Sequence, residues 1–454
     1  MASDAEQTVA AGGSVAAPSK AVAVPPPSLA ARMSSLGPGL VYVLTVMGAG
    51  DIVSNSAAGA DYQYALLWAL GVTLIFRYIW VGTSAKYVLV TGETLLQGYG
   101  RLGNWLIWTV LAALFLFRHF YNLYLIVLLG TTWDLLFHLP THWSSAVWSI
   151  FFSVAGFVLM IWGGYPILEY FCKVLVAAKG ISLIVAAVLS HPNPAGILKG
   201  TFVPTIPGAT GFYSSMLVLM ALIGTEAGSM TNLTYPYFMH EKGWRDVSYM
   251  KQQRFDLGFG VACIFLMGAL LQIAAAGTVH PLGVKLEGPE QLVRIFSQSL
   301  GLVGLLIFAL GLWGAAFSTY LAATTGYALI LTDICRSYIP RLKKKIEGEN
   351  KRATAKNDPI YRWAIVFWVF SPLYIVFTHV QPVWLVLTVS SIVVVVIPAL
   401  ALPLLRLTND RKLMGKYKNG WFTNAVLVML VLVSFYFTYK NLLSLWQQLK
   451  SVFS

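Results

Sequence analysis

Gly37-Pro-Gly-Leu-Val-Tyr-Val-Leu-Thr-Val-Met-Gly-Ala-Gly-Asp51 opens the first long apolar stretch of the chain and then interrupts it, with Gly48, Ala49, Gly50 and the carboxylate of Asp51 at membrane depth. Backbone that leaves the helix inside a bilayer is tolerated only where it lines a cavity, and discontinuous helices are where secondary transporters hold their substrate. An ionisable residue at that depth points to function. The segment predicts a broken transmembrane helix with a binding site at the break.

Working outward, the same feature recurs in Ala221-Leu-Ile-Gly-Thr-Glu-Ala-Gly-Ser-Met-Thr-Asn232, where glycines, hydroxyls and the carboxylate of Glu226 interrupt another apolar span. Composition agrees with a membrane protein: 57% of the 454 residues are hydrophobic and 11% charged, and the mean hydropathy is +0.70. Fifteen Trp, 22 Tyr and 25 Phe suit aromatic belts at two interfaces. Apolar spans long enough to cross predict eleven helices, near 38–58, 62–90, 104–136, 145–163, 167–189, 211–239, 255–279, 299–334, 361–379, 383–405 and 421–440. Two interrupted helices separated by four continuous ones predict an all-α polytopic membrane protein with an inverted repeat of five plus five helices. The repeats cover about 38–189 and 211–405, and an extra helix follows at 421–440. Such repeats place the substrate where the breaks face each other; the bland alternative is that the glycines only let helices pack closely.

The net charge of +13 lies in short connections at 240–254, 336–362 and 406–420, which is the positive-inside pattern and not a nucleic-acid surface. It predicts a cytoplasmic amino terminus and an extracytoplasmic carboxyl terminus in the plasma (inner) membrane. Residues 1–35, rich in Ala, Ser, Pro and Gly, read as a disordered cytoplasmic tail ahead of a transporter domain at 36–454. Cys172, Cys263 and Cys335 show no CxxC spacing, so disulfides and zinc are not expected. Asn232-Leu-Thr234 is a chance sequon inside the sixth helix.

Gly37-Pro-Gly with Ala58-Gly-Ala-Asp-Tyr-Gln-Tyr-Ala-Leu-Leu-Trp68, Ser84-Ala-Lys86 with Thr91-Gly92, and Leu310-Gly-Leu-Trp-Gly-Ala-Ala-Phe-Ser318 resemble the first, second and eighth helix regions of NRAMP metal transporters. The resemblance covers most of residues 37–335 and implies a LeuT-type inverted-repeat fold. It also implies a transition-metal site built from a first-helix Asp-Pro-Gly-Asn and a sixth-helix Met-Pro-His. At the matching positions this chain has Gly48-Ala49-Gly50-Asp51 and Gly228-Ser229-Met230. The third helix, where the family usually carries acids for proton movement, reads Phe117-Arg-His-Phe-Tyr-Asn-Leu-Tyr124.

Two cargo classes fit these departures. A small oxyanion such as bicarbonate would use backbone N–H groups bared at glycine and the positive ends of the half-helices. The substrate site would then comprise Gly48, Ala49, Gly50, Asp51, Thr225, Glu226, Ala227, Gly228 and Ser229. Asp51 and Glu226 would hold a coupled proton or sodium, and Arg118 and His119 would join them in coupling or gating. This is the leading reading, because two ligand positions have become glycine and the proton-path acids have become Arg118 and His119. The alternative is a hard divalent cation, magnesium ahead of manganese, on the oxygens of Asp51 and Glu226, hydroxyls, carbonyls and retained water; with glycine at 48 and 228, tight manganese binding at this site is not expected. A transporter-like membrane sensor is a third reading, though no output region beyond about 35 residues accompanies the membrane domain. No metal-ligand cluster, nucleophile elbow or phosphate loop suggests an enzyme, and no cofactor is expected; the partners are a small inorganic ion and the lipid bilayer.

Overall fold

A computed structural model of the chain describes residues 36, 38–39, 42–43, 48–162, 180–181, 183–208, 210–227, 230–339, 357–378 and 380–453. The tail at 1–35, Cys172 and most of the fifth expected helix lie outside these residues, as do Gly228, Ser229 and most of the basic connection at 336–362.

Nine helices among the described residues are long and apolar enough to cross a membrane. The first break lies where the sequence places it: a new helix, α1 (Ala49–Tyr62), starts directly after Gly48. Its start is capped from within, because Asp51 Oδ2 accepts the Gly48 N–H at 3.0 Å. α2 (Leu67–Thr91) ends at Gly92, whose left-handed φ of 69° suits a residue without Cβ. A short helix not read from the sequence follows, α3 (Leu95–Leu102). Its Thr94-x-x-Gln97 start is a reciprocal capping box, with Gln97 N donating to Thr94 Oγ1 and Thr94 N to Gln97 Oε1.

α4 (Asn104–Asp134) and α5 (Ser144–Trp162) form a hairpin. They cross at Gly130, where a Cβ would sit 2.0 Å from Ser149 Oγ. After α6 (Pro194–Phe202), capped by Asn193, the sixth span begins as α7 (Ser215–Leu222) and loosens into a π turn at Ile223–Ala227. It resumes as a 3-10 turn, Met230–Leu233, and α8 (Tyr235–Glu241). The second break therefore falls on the stretch that the sequence singles out.

α9 (Met250–Thr278) packs along α1 through small residues, since a Cβ on Gly59 would meet Gln272 O at 2.2 Å. α10 (Pro289–Tyr338) starts ten residues earlier than expected from 299, and it kinks at Gly301, whose φ of 57° a β-carbon would resist. α11 (Pro359–Phe370) continues as a 3-10 turn to Phe377. The tenth span splits into α12 (Pro382–Val393) and α13 (Ile397–Asn409) around a 3-10 turn at Val394–Val396. α14 (Trp421–Phe453) closes the chain. Trp105, Trp143, Trp162 and Trp421, at helix starts and ends, are exposed, as an aromatic belt requires.

Gly59→Ala should lower the unfolding midpoint in detergent, by the equivalent of about 1–3 kcal/mol for overpacking, because its Cβ would run into backbone. Gly71→Ala, whose Cβ would meet only Phe265 at 3.8 Å, should leave the midpoint unchanged; equal midpoints for both variants would contradict this packing.

Candidate functional site

The two breaks face each other and are tied together by side chains from both repeats. Asn55, one turn beyond Asp51 on α1, donates to Asp51 O at 2.9 Å and to Glu226 Oε1 at 2.7 Å. Ser54 donates to Gly50 O at 2.8 Å and lies 3.2 Å from Thr225 Oγ1. Ahead of the first break, Tyr42 OH donates to Asn232 Oδ1 at 2.5 Å, and Asn232 Nδ2 donates to Ala227 O at 3.1 Å. All of these residues are buried.

Arg77, from the middle of α2, completes the network. One guanidinium nitrogen donates to Thr225 O, and another lies 3.8 Å from Glu226 Oε2, with both side chains wholly buried. The bond falls on the π turn, where the backbone ladder departs from the regular α pattern. Glu226 is thus answered by Arg77 and Asn55, and its carboxyl group also interacts with that of Asp51.

Between the breaks lies a small cavity of about 30 Å³, roughly the volume of one water molecule. Gly48, Gly50, Asp51 and Thr225 line it, and so do Arg118, Tyr121 and Tyr124 from α4, Thr231 of the 3-10 turn, and Thr319 of α10. Five site positions named from the sequence therefore meet there: Gly48, Gly50, Asp51, Thr225 and Arg118. Glu226 stands behind the wall in the Arg77 network, and Ala227 serves the site through its carbonyl. Ala49 opens α1. His119 turns elsewhere, with Nδ1 3.0 Å from Ser371 Oγ and its ring stacked on Tyr374. Met230 is buried but does not line the cavity.

Asn55, Tyr121, Tyr124 and Thr319 were not singled out by sequence reasoning. Asn55 could have been, since i and i+4 share a helix face. Tyr124 lay in a phrase already under suspicion, whereas Thr319 comes from a helix nearly a hundred residues beyond the second break and carries no local signal.

The glycines serve packing as well as access. A Cβ on Gly48 would fall 2.4 Å from Thr319 Oγ1, and one on Gly224 would fall 1.9 Å from Ser390 O. The N–H of Gly48, which the oxyanion reading offers to an anion, already donates to the Asp51 carboxylate. Among the described residues no sulfur or imidazole lines the cavity, and no group of three or more His, Cys, Asp or Glu is placed to hold a metal.

A second cavity, of about 670 Å³, opens at the end of the bundle where α4 meets α5 and where α10 and α12 begin. Asp134, Glu287 and Glu290 give it three carboxylates beside His138. Asp134 accepts from Ser144 Oγ, and Glu287 pairs with Lys285 at 3.1 Å. Thr131 on its floor lies seven residues beyond Tyr124 on α4, about 10 Å along the helix at 1.5 Å per residue.

The family model described as natural resistance-associated macrophage protein-like matches residues 39–444. A divalent metal cation transporter of Caldanaerobacter subterraneus is 22% identical over 433 residues, covering 91% of this chain and 93% of that protein. Among solved structures, the Eremococcus coleocola manganese transporter aligns with a TM-score of 0.74 at 15% identity, covering 97% and 92% of the two chains. The nucleobase-cation-symport-1 family transporter Mhp1 aligns at 0.54 with 11% identity, covering 90% and 93%. The fold is the LeuT-type inverted repeat of five plus five helices with an eleventh helix added. The chain belongs to the NRAMP family and is an integral membrane transporter.

Arg77→Met should leave the buried Glu226 carboxylate without its cation, next to Asp51, and cost about 3–5 kcal/mol of stability, the usual penalty for removing one partner of a buried pair. The double variant Arg77→Met/Glu226→Met should regain most of it in the same detergent melt. Additive losses would mean that the two side chains are not coupled.

Proposed function

We propose that this transporter carries a hard divalent cation, magnesium or manganese, which binds between the two helix breaks on the Asp51 carboxylate. The observation that carries this reading is the character of the cavity wall: one carboxylate, Asp51, and five hydroxyl-bearing side chains, Tyr121, Tyr124, Thr225, Thr231 and Thr319, beside the single guanidinium of Arg118. Oxygen donors without sulfur suit hard ions, and a soft transition-metal site would want thioether or imidazole. An ion that sheds water reluctantly would keep some of its shell, so a cavity of about 30 Å³ corresponds to a closed state that widens to load.

The relatives support the cation over the anion, since several are named divalent metal cation transporters. The oxyanion reading loses its physical basis at Gly48, whose N–H is occupied by Asp51. The acidic cavity around Asp134, Glu287 and Glu290 would concentrate cations at the entrance. It lies at the end of the bundle away from the basic connection at 240–254, so positive-inside charge makes it the outer mouth. Glu226, neutralised by Arg77, holds the breaks in register and leaves Asp51 as the carboxylate that meets the ion. Nothing in the site favours the sensor reading.

Asp51→Ala should reduce magnesium or manganese uptake into proteoliposomes at least tenfold while the protein still folds, and the wild type should take up no labelled bicarbonate. Undiminished divalent uptake in Asp51→Ala, or saturable bicarbonate uptake by the wild type, would overturn the assignment.

A further inference from the structure

Arg118 is 1% exposed and lines the central cavity across from the first break. Its guanidinium donates to Asn122 Oδ1, and its carbon centre lies 5.5 Å from the centroid of the Tyr327 ring. Asn122 is oriented for this by its own bond, Nδ2 to Trp368 O at 2.7 Å. Arg118 Nε has no hydrogen-bond partner, and among the described residues no carboxylate lies within 4.0 Å to make an ion pair. A guanidinium does not deprotonate in proteins, so a permanent positive charge outside any direct ion pair among the described residues lines the space where the cargo would sit.

A buried cation held out of a direct ion pair costs free energy that packing could avoid, since an apolar side chain of similar size would be more stable. Charge pairing sharpens the point. Arg77 answers Glu226, so what remains at the cavity wall is one carboxylate, Asp51, and one guanidinium, Arg118. A cation entering between them is attracted by the first and repelled by the second, and the repulsion grows in proportion to cargo charge. A permeation site must bind well enough to load and weakly enough to release.

We propose that Arg118 is an affinity-setting residue that repels the bound divalent cation and thereby speeds its release. This rests on the divalent-cation reading of the same cavity. Arg118 acts as a fixed opposing charge that trades equilibrium affinity for turnover.

The test uses the full-length protein, with magnesium and manganese binding measured by calorimetry in detergent and uptake measured in proteoliposomes. Arg118→Met should tighten divalent binding at least tenfold and lower the apparent KM, while maximal uptake falls because release slows. Arg118→Lys, which keeps the charge, should stay within threefold of wild type in affinity. Arg118→Gln, which keeps a polar group of similar length, should behave like Arg118→Met if the methionine variant folds poorly. A structural role would instead weaken binding in the neutral variants. Unchanged or weaker affinity in both neutral variants overturns the proposal, as does Arg118→Lys behaving like Arg118→Met. The wild-type titration separates the two claims: no divalent binding there refutes the cation reading, whereas binding that ignores Arg118 refutes only this one. If replacing chloride by gluconate alters wild-type divalent affinity but not that of Arg118→Met, the guanidinium serves a bound anion and the proposal fails.

Discussion

A carboxylate buried among transmembrane helices must be answered by the protein, and Glu226 is answered by Arg77 and Asn55. That requirement organises the centre of the molecule. Asn55 reaches Glu226 from the helix that restarts after Gly48, and Arg77 reaches the Thr225 carbonyl within the π turn of the sixth span. Each break thus supplies the partner that makes the other tolerable. Irregular backbone would be expensive in lipid, but here its polar groups are spent on one another and on a small cavity.

The cavity is what the network leaves over. Gly48 and Gly224 bring α10 and α12 against the breaks so closely that a methyl group would collide; the residual space is a water-sized void lined by Asp51, Arg118, hydroxyl-bearing side chains, glycines and Ala323. Asp51 has two roles, capping α1 through the Gly48 N–H and presenting carboxylate to the void. The acidic cavity nearer the bundle end is more than twenty times larger.

Much of this was legible in the sequence because the strongest signals were local. Glycines and a carboxylate inside an apolar span mark a break wherever they occur, and both breaks lie where Gly48–Asp51 and Gly224–Glu226 place them. The positions of α3 and α6 were missed although Thr94-x-x-Gln97 and Asn193-Pro194 are start signals, because short amphipathic helices hide between long apolar ones. What the sequence misled about was the purpose of the glycines. Bared backbone for an anion was preferred at Gly48, Gly50 and Gly228 over close packing, whereas Gly48 and Gly224 pack against Thr319 and Ser390, which lie far along the chain. Arg77 likewise could not be matched to Glu226 by spacing, since the pair is formed only by the packing of α2 on the sixth span.

The central claim is that a single ion site lies between the two breaks, on Asp51. An anomalous-scattering map of crystals soaked in manganese tests it most directly. The account predicts a peak within coordinating distance of the Asp51 carboxylate and the Thr225 hydroxyl, lost in crystals of Asp51→Ala. A manganese peak confined to the outer cavity around Asp134, Glu287 and Glu290, with nothing between the breaks, would contradict it.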